Sequence, residues 1–386
     1  MATRKEPLGV LLVTGMRTHQ ENYAPAFAAD PRCRLVGLTD ESDVPELRDR
    51  LNRELADELK VPFLDDLDAA LTRSDVDIVC ICAEPERRAR IGVRAARAGK
   101  HVYMDKPLAT SVAEADALAS AVKSANVQSQ MFTLVHTGWA ARAREIVAAE
   151  RIGKLQGIHC DLLFAKGPAG SAPLGTPRKE HFPPERFTFV DSKREMFTTA
   201  VYSLAMIRVL TRSEVRSVRA VTANYFFAEH VRNDVEDFAA LSLTLDNGVV
   251  ATVTAGRIGW RSHPSYGPVR TVLVGTGGNV LIDGHRPRVE VATDATSWTA
   301  PRRNPDDPMG FWSSTTAAAG AEPKLRWITP TKGEPPSDQT HFVDCLLSNR
   351  APDVTVADGA AVVEVLLAAY QSAATGRVVQ LPLPRT

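Results

Sequence analysis

Apolar runs alternate with amphipathic helical segments over residues 1–125. Each run is short and bounded by polar residues, and the segment after it spaces its apolar residues at the 3.6-residue period of a helix. Strands that alternate with amphipathic helices in this way are typical of a doubly wound parallel sheet with helices on both faces. The main predicted strands are LGVLLVT (8–14), RLVGLTD (34–40), VDIVCICAE (76–84) and HVYMDKPLA (101–109).

The pattern changes in the second part of the chain. Long strand-like segments follow one another there, among them VRSVRAVTANYFFAEH (215–230), and DNG at 246–248 has the composition of a hairpin turn. One helix is predicted near 194–212, residues 296–337 are rich in Pro, Gly and Ser and are predicted to be loop, and helical patterns return at 338–376. Residues 126–386 are therefore predicted to form a second α/β domain with a large, mostly antiparallel open sheet. Its C-terminal helices are expected to pack back toward the first domain.

Composition narrows the class of protein. The chain has 386 residues, 44% hydrophobic and 24% charged, which suits two globular domains. The formal net charge is zero and no run of 18 apolar residues occurs, so neither nucleic acid nor a membrane is expected as a partner. The N-terminal apolar run is interpreted as a strand and not as a signal peptide. Five scattered cysteines indicate reduced thiols and a cytoplasmic protein.

The loop after the first strand, VTGMRTHQ, is a weak candidate for a dinucleotide-binding loop. The Rossmann fingerprint G-x-G-x-x-G lets the backbone approach a pyrophosphate at a helix N-terminus. Here Gly15 is present, but Arg17 and Gln20 stand where the second and third glycines would be. Asp40 ends the second strand, near the place of an acidic residue that binds the ribose, and Arg17 offers a direct bond to phosphate. A solvent-facing arginine in a fold that binds another ligand is the alternative.

A second candidate site lies at the end of the strand that begins at His101. There Lys106 and Pro107 sit at the carboxyl edge of the predicted parallel sheet, where such sheets bind ligands. A lysine in this position can bond to a substrate oxygen and, with a lowered pKa, relay a proton. An exposed loop lysine is the alternative.

Four segments together resemble the glucose–fructose oxidoreductase, inositol dehydrogenase and rhizopine-catabolism (Gfo/Idh/MocA) dehydrogenases. The resemblance covers nearly the whole chain, and GKHVYMDKP is its most specific motif, with Asp105 where the family has Glu. It implies a Rossmann domain at 1–125, followed by a substrate-binding and oligomerisation domain at 126–386. The segments are DVDIVCICAEP (75–85), AGKHVYMDKPLA (98–109), RIGKLQGIHCD (151–161) and the C-terminal stretch 339–381.

The resemblance also implies catalytic residues. Lys106 matches the family's catalytic lysine. The family's D-x-x-x-H helix matches 194–212, which places Thr198 at the Asp position and Tyr202 at the His position. Tyr202 is expected to act as acid or base, helped by the cation of Lys106, which would favour the phenolate. The change from Asp to Thr removes a carboxylate that would keep Lys106 charged.

From these matches we expect an NAD(P)-dependent oxidoreductase acting on a hydroxyl or carbonyl of a sugar, cyclitol or related polyol, in a homodimer or homotetramer. NAD is favoured by Asp40, and Arg17 leaves NADP open. Two alternatives are a redox-neutral lyase, hydrolase or epimerase that keeps its NAD, and a non-catalytic relative. The predicted cofactor-binding residues are Gly15, Met16, Arg17, Asp40, Cys82, Ala83, Glu84 and Lys106.

Several further polar residues are candidates for the substrate cleft. A cleft lined by cations suits an acidic or polyhydroxylated substrate. His230 and His263 do not form a metal-ligand spacing with any other ligand type, so no catalytic metal is expected. The predicted substrate residues are Lys166, Arg178, Lys193, Thr198, Tyr202 and His230, and weaker candidates are Glu180, Arg194, Tyr225, Arg257, Trp260 and His263.

Overall fold

A six-stranded parallel sheet lies in the N-terminal part of the protein, between Leu8 and Met131. The computed structural model describes residues 7–164, 178–189, 191–258, 268–284, 288–293, 326–328 and 336–385. The strand order is β3-β2-β1-β4-β5-β6, so the order reverses between β1 and β4 and leaves a crevice at their carboxyl ends. The strands are β1 (Leu8–Val13), β2 (Cys33–Thr39), β3 (Phe63–Leu64), β4 (Ile78–Ile81), β5 (His101–Met104) and β6 (Ser129–Met131).

Helices cover both faces of this sheet, as the apolar pattern predicts. Ser111 caps the N-terminus of α5, because its hydroxyl accepts a hydrogen bond from the Glu114 N–H. Gly99 follows the C-terminus of α4 with φ +74°. The helices are α1 (Gln20–Ala29), α2 (Glu46–Leu59), α3 (Leu67–Thr72), α4 (Pro85–Arg97) and α5 (Val112–Ala125), and α6 (Gly138–Ala148) then leads to the second sheet.

The second sheet has nine strands in the order β14-β13-β12-β11-β7-β10-β9-β8-β15. Only β7 and β10 pair in parallel among them, so the predicted mostly antiparallel sheet is confirmed. The strands are β7 (Leu155–Phe164), β8 (Val215–Ala223), β9 (Phe238–Leu245), β10 (Val250–Arg257), β11 (Val269–Gly275), β12 (Gly278–Asp283), β13 (Arg288–Thr293), β14 (Arg326–Ile328) and β15 (Val379–Gln380).

Helices α7 (Glu195–Thr211) and α10 (Val356–Thr375) pack on one face of the second sheet. α7 is buried on nearly all sides because it lies between the sheet and α10. α10 also packs on α5, and α9 (Asp338–Ser348) packs on α1, so the C-terminal helices contact the first domain. Among the described helices α10 alone is long and apolar enough to cross a membrane, and 72% of that stretch is buried inside the protein.

Some local structure differs from the prediction. The predicted strand through Tyr225 and His230 ends at Ala223, and His230 lies on the short helix α8 (Ala228–Arg232). Strand β14 lies inside the segment 296–337 that was predicted to be loop; most of that segment is outside the described residues. The first sheet continues past residue 125, because β6 at Ser129–Met131 pairs with β5. The domain boundary between residues 125 and 126 stays a prediction. All five cysteines are buried and unpaired.

Candidate functional site

The β1–α1 loop keeps two conformational features of a glycine-rich loop without its sequence. Arg17, at the second glycine position, has φ +58°, which is a conformation that glycine adopts most easily. At Gly15 an added Cβ would lie 2.6 Å from Cα of Asn52, so α2 approaches too closely for any side chain. An arginine therefore makes the turn that glycine makes in the fingerprint, and Gly15 is required by packing.

Most backbone N–H groups of this loop are already bonded. Gly15 donates to the Asn52 side chain (2.8 Å), Met16 to the Leu51 carbonyl (3.2 Å) and Arg17 to the Glu21 carboxylate (3.0 Å). No described residue accepts from the N–H groups of Thr18 and His19, which precede α1. An anion at this helix N-terminus would therefore meet Thr18, His19 and the exposed Arg17 side chain. Thr18 and His19 were missed because the fingerprint directs attention to glycines.

Asp40 lies at the end of β2, as predicted, but its carboxylate is buried. It accepts from Asn52 Nδ2 (2.9 Å) and from Arg87 Nη1 (2.7 Å), and its side chain is 1% exposed. Arg87 also pairs with Glu41 (3.0 Å) and Glu84 (2.7 Å). The direct contact between Asp40 and a ribose that the sequence predicts would require Arg87 to move, since Arg87 covers the carboxylate. Arg87 itself was missed, because it comes from α4, 47 residues after Asp40.

The ends of β4 and β5 meet beside this loop. Cys82 and Ala83 follow β4 and are fully buried, and Glu84 is the N-cap residue of α4. Asp105 follows β5 and accepts from Tyr23 Oη (2.9 Å) and Arg88 Nη2 (2.9 Å). The buried carboxylate is further bonded to His19 Nδ1 at 2.8 Å. Asp105 thus ties the β1–α1 loop to the strand end that presents the next residue, Lys106.

Lys106 is buried at the junction of the two domains. Its Nζ donates to the Thr198 carbonyl of α7 (2.6 Å) and lies 4.3 Å from the centre of the Tyr202 ring. Burial lowers the pKa of Lys106 to about 7; Asp105 opposes this, while the cation of Lys193 adds to it. The lysine is therefore poised to accept or release a proton near neutral pH.

Tyr202 shares this junction, but the expected phenolate is not supported. Burial raises the pKa of Tyr202 well above its usual range, and the charges of Asp105 and Asp338 raise it further. Lys106 does not reverse this effect, because its Nζ lies over the ring face and its own pKa is lowered. The expectation that Lys106 favours the phenolate is therefore wrong, and Tyr202 is a protonated hydrogen-bond donor at neutral pH.

Glu195 supplies a carboxylate near the position where the family motif has lost its Asp. It lies one turn before Thr198 on α7, and Thr198 Oγ1 bonds to its Oε2 at 3.2 Å. Arg257 Nε donates to Glu195 Oε1 at 2.7 Å. Burial opposes ionisation of Glu195, but the neighbouring His230 and Arg257 outweigh it and hold its pKa at about 2. The sequence signal that identifies this carboxylate is Glu195 in REMFTT (194–199), three residues before Thr198, which stands at the family's Asp position.

His230 is brought to this carboxylate by α8. Its side chain is 4% exposed and its Nε2 lies 3.5 Å from Glu195 Oε1, too far for a strong hydrogen bond. Neither ring nitrogen has a hydrogen-bond partner among the residues that the structure describes. A buried imidazole without partners is unfavourable, so this side chain is suited to bind an incoming polar group.

The other predicted substrate residues have different positions. Lys193 is exposed just before α7 and its charge acts on Lys106. Arg178 has a 2% exposed side chain that is paired with Glu180, so its substrate role stays a prediction. Three candidates, Lys166, Trp260 and His263, lie outside the described residues.

Comparison with known proteins gives two matches to protein families. Residues 10–133 match an oxidoreductase family with an NAD-binding Rossmann fold, and residues 140–281 match the GFO/IDH/MocA C-terminal domain. Together the matches span more than half of the chain.

Individual relatives are distant. The chain is 27% identical to the uncharacterized oxidoreductase YrbE of Bacillus subtilis over 57% of this chain and 59% of that protein, which is less than two thirds of its length. It is 24% identical to the scyllo-inositol 2-dehydrogenase (NAD(+)) of Bacillus subtilis over 80% and 79% of the two chains. A solved levoglucosan dehydrogenase in complex with NADH and levoglucosan has the same fold, with a TM-score of 0.76, 20% identity, and coverage of 98% and 100%.

Proposed function

Because the chain belongs to the GFO/IDH/MocA oxidoreductase family, we propose that it oxidises or reduces a CH–OH group of a sugar, cyclitol or related polyol with a nicotinamide cofactor. The observation that carries the proposal is Lys106. Its amine stands at the carboxyl edge of the parallel sheet, against Thr198 and Tyr202 of α7, with a pKa of about 7. A group that changes charge near neutral pH is what alcohol oxidation requires at the hydroxyl.

The side chains at this junction divide the proton chemistry between them. In oxidation, Lys106 accepts the hydroxyl proton, because it is the group whose pKa lies near 7. Tyr202 keeps its proton and donates a hydrogen bond to the substrate oxygen. His230 binds a second substrate hydroxyl, since neither ring nitrogen makes a hydrogen bond within the described part of the chain. Arg257 and Glu195 hold α7 and β10 together around these groups.

The cofactor fits the first domain at the β1–α1 loop. The N–H groups of Thr18 and His19 with the Arg17 side chain would hold the pyrophosphate, and the ends of β4 and β5 would lie along the nicotinamide half. A bound nicotinamide supplies the hydride acceptor or donor. NAD suits the adenosine end better than NADP, because Arg87 is already surrounded by three carboxylates, those of Asp40, Glu41 and Glu84. They would repel a 2′-phosphate.

The substrate side is argued from charge and hydrogen-bonding capacity. The charge of Lys193 acts on the lysine and Arg257 pairs with Glu195, while Thr198 and His230 add neutral polar groups, which suits a polyhydroxylated ring that has few apolar faces. We place the enzyme in the cytoplasm as a homodimer or homotetramer, on the basis of its five free cysteines and the family's open sheet.

Calorimetry and turnover assays test this proposal. We expect cofactor-free protein to bind NADH saturably and NADPH at least tenfold more weakly. We expect NAD reduction with one or more members of a panel of inositols, levoglucosan and aldoses. Tyr202→Phe should lower kcat ~10- to 100-fold, because one hydrogen bond to the reacting oxygen is lost, while NADH affinity is unchanged. Absence of saturable binding of either dinucleotide by folded protein would refute the function.

A further inference from the structure

We propose that His136, His341 and Asp353 form a binding site for Zn²⁺ or a similar divalent cation. The site is remote in the chain from the Lys106 junction and does not depend on the proposed function. His136 follows β6, His341 lies on α9, and Asp353 precedes α10. The donor atoms of the two histidines and Asp353 all lie within 4.8 Å of one another.

The hydrogen bonds around the two imidazoles direct their free nitrogens toward one point. His341 Nδ1 bonds to Gln130 Oε1 (2.9 Å), and the Gln130 amide is oriented by donating from Nε2 to Asp338. His341 Nδ1 is therefore the donor. His136 Nδ1 bonds to the Asp338 carboxylate at 2.6 Å, which is an acceptor only, so this Nδ1 is a donor too.

Each neutral ring consequently presents a lone pair at Nε2, and both lone pairs face the same oxygen. Asp353 Oδ2 lies 3.2 Å from His136 Nε2 and 3.4 Å from His341 Nε2. Two lone pairs that face a carboxylate oxygen repel unless a cation lies between them. The outer bonds from Nδ1 to a carboxylate and to an amide oxygen are the contacts that orient histidine ligands in metal sites.

Two separations agree with the edges of a zinc tetrahedron. Zinc–nitrogen and zinc–oxygen bonds of about 2.0–2.1 Å imply edges of about 3.3 Å. The two Nε2–Oδ2 distances, 3.2 and 3.4 Å, agree with this value. The two imidazole rings are stacked with their centres 3.9 Å apart, so they would turn apart around a tetrahedral ion. Two nitrogens and one oxygen form a ligand set that zinc accepts, with water in the fourth position.

Other cations compete for the same carboxylate. Arg144 Nη2 lies 2.7 Å from Asp353 Oδ2, and Arg350 Nη2 lies 3.5 Å from His341 Nε2. These guanidinium side chains are 31% and 53% exposed, so both can turn to solvent when a metal binds. Burial opposes protonation of His136, but its bonds to Asp338 and Asp353 raise its pKa, so a proton is a third competitor.

A metal here would join three segments of the chain. It would tie the segment after β6 to α9 and to the loop before α10. Phe132, in that segment, has its ring 4.8 Å from Tyr23 and 6.2 Å from Tyr202. The cation would therefore stiffen one wall of the junction where the candidate catalytic residues lie, without contacting them.

Metal analysis of the unsubstituted protein, purified without chelator or metal, is the primary test. We expect about one Zn²⁺ per chain, removal by dipicolinate with a fall in Tm, and recovery of Tm on addition of Zn²⁺ alone. Calorimetry of the stripped protein should give a dissociation constant below about 1 µM for Zn²⁺. Failure of the native chain to bind Zn²⁺ at micromolar concentration would overturn the proposal and leave an ion-pair cluster closed by protons and arginines.

Variants locate the bound metal. His341→Gln and Asp353→Asn should each weaken Zn²⁺ binding at least tenfold, whereas His159→Gln, which changes an exposed imidazole on β7, should bind as the native chain does. Unweakened binding in His341→Gln would exclude this site.

Discussion

Lys106 and Lys193 are coupled through their like charges, and this coupling sets the proton chemistry at the scale of single residues. The charge of Lys193 lowers the pKa of buried Lys106, while Asp105, beside it in sequence, raises it. The Lys106 pKa of about 7 results mainly from burial and to a smaller extent from these two opposing charges. A change to one exposed side chain should therefore alter the pH dependence of a buried one.

The pH profile of oxidation tests this coupling. Lys106 must be neutral to accept a proton, so kcat/KM should rise with pH through about 7. Lys193→Gln removes a like charge, raises the pKa of Lys106 and should move this limb to higher pH. Lys123→Gln, on the outer helix α5, is the control and should leave the limb in place. Lys106→Met should lower kcat ~10²- to 10⁴-fold. An unshifted limb in Lys193→Gln would mean that another group titrates.

At the scale of elements, the β1–α1 loop shows how an unusual sequence keeps a required conformation. Arg17 takes a left-handed φ of +58°, which costs a residue with a Cβ about 1 kcal/mol or more. Such strain persists only where the surroundings hold it, and it concentrates at functional sites. Of the side-chain atoms that Arg17 has and glycine lacks, only the guanidinium can bind an anion, so it is the group that compensates this cost.

A matched pair of variants separates conformation from charge at this position. Arg17→Gly and Arg17→Ala both remove the guanidinium, but only glycine relieves the left-handed strain. In urea unfolding, Arg17→Gly should therefore be more stable than Arg17→Ala by about 1 kcal/mol. Both should weaken NADH binding by a similar factor of about ten, through loss of the phosphate contact. Arg17→Lys should retain most of the affinity. Equal NADH affinity in native protein and Arg17→Ala would remove Arg17 from the cofactor site.

The elements that sequence patterns predicted well are those with one dominant signal. The parallel sheet, the helix at 194–212 and the C-terminal helices are confirmed, because burial on one or both faces fixes their apolar period. The segment Tyr225–His230 was misassigned because it has strand composition but turns after Ala223, where Asp237 accepts from three successive backbone N–H groups, those of Tyr225, Phe226 and Phe227. This bond pattern joins residues ten or more apart, and local periodicity does not reveal it.

The candidate site was predictable only as far as motifs reach. Lys106, Thr198 and Tyr202 came from a family resemblance that the comparisons confirm. Arg87 and Glu195 were not found, because their importance comes from pairing across 47 and 62 residues, with Asp40 and Arg257. The direction of the pKa of Tyr202 was wrong for a related reason: burial, which follows from the packing of Phe132 and Phe164 around the ring, outweighs a neighbouring cation.

At the scale of the whole molecule, one buried ionic network joins segments from distant parts of the chain. Glu236, just before β9, accepts from Tyr370 Oη of α10 (2.6 Å) and from the Met196 N–H of α7 (3.1 Å). Arg194 bonds to Glu236 and to Glu180. Arg178 also pairs with Glu180, whereas among the described residues Glu236 pairs only with Arg194, which it shares with Glu180. Burial raises the pKa of Glu236 to about 7, against the attraction of Arg194 and with the repulsion of Glu180.

The stability of the protein should therefore fall as Glu236 ionises. A carboxyl whose folded pKa lies above its unfolded value binds its proton more tightly in the folded state, so its contribution is complete below about pH 4.5 and is lost as pH rises to about 7. Glu236→Gln stays neutral and keeps an acceptor for Tyr370 and Met196. Urea unfolding should show the variant more stable by about 3 kcal/mol at pH 8 and indistinguishable at pH 4. Glu214→Gln, half-exposed and outside the network, should show no such pH-dependent gain. If Glu236→Gln is instead less stable at pH 8, the ionised carboxylate is required by Arg194, and the network holds α7 and α10 together by charge and not by hydrogen bonds to a neutral acid.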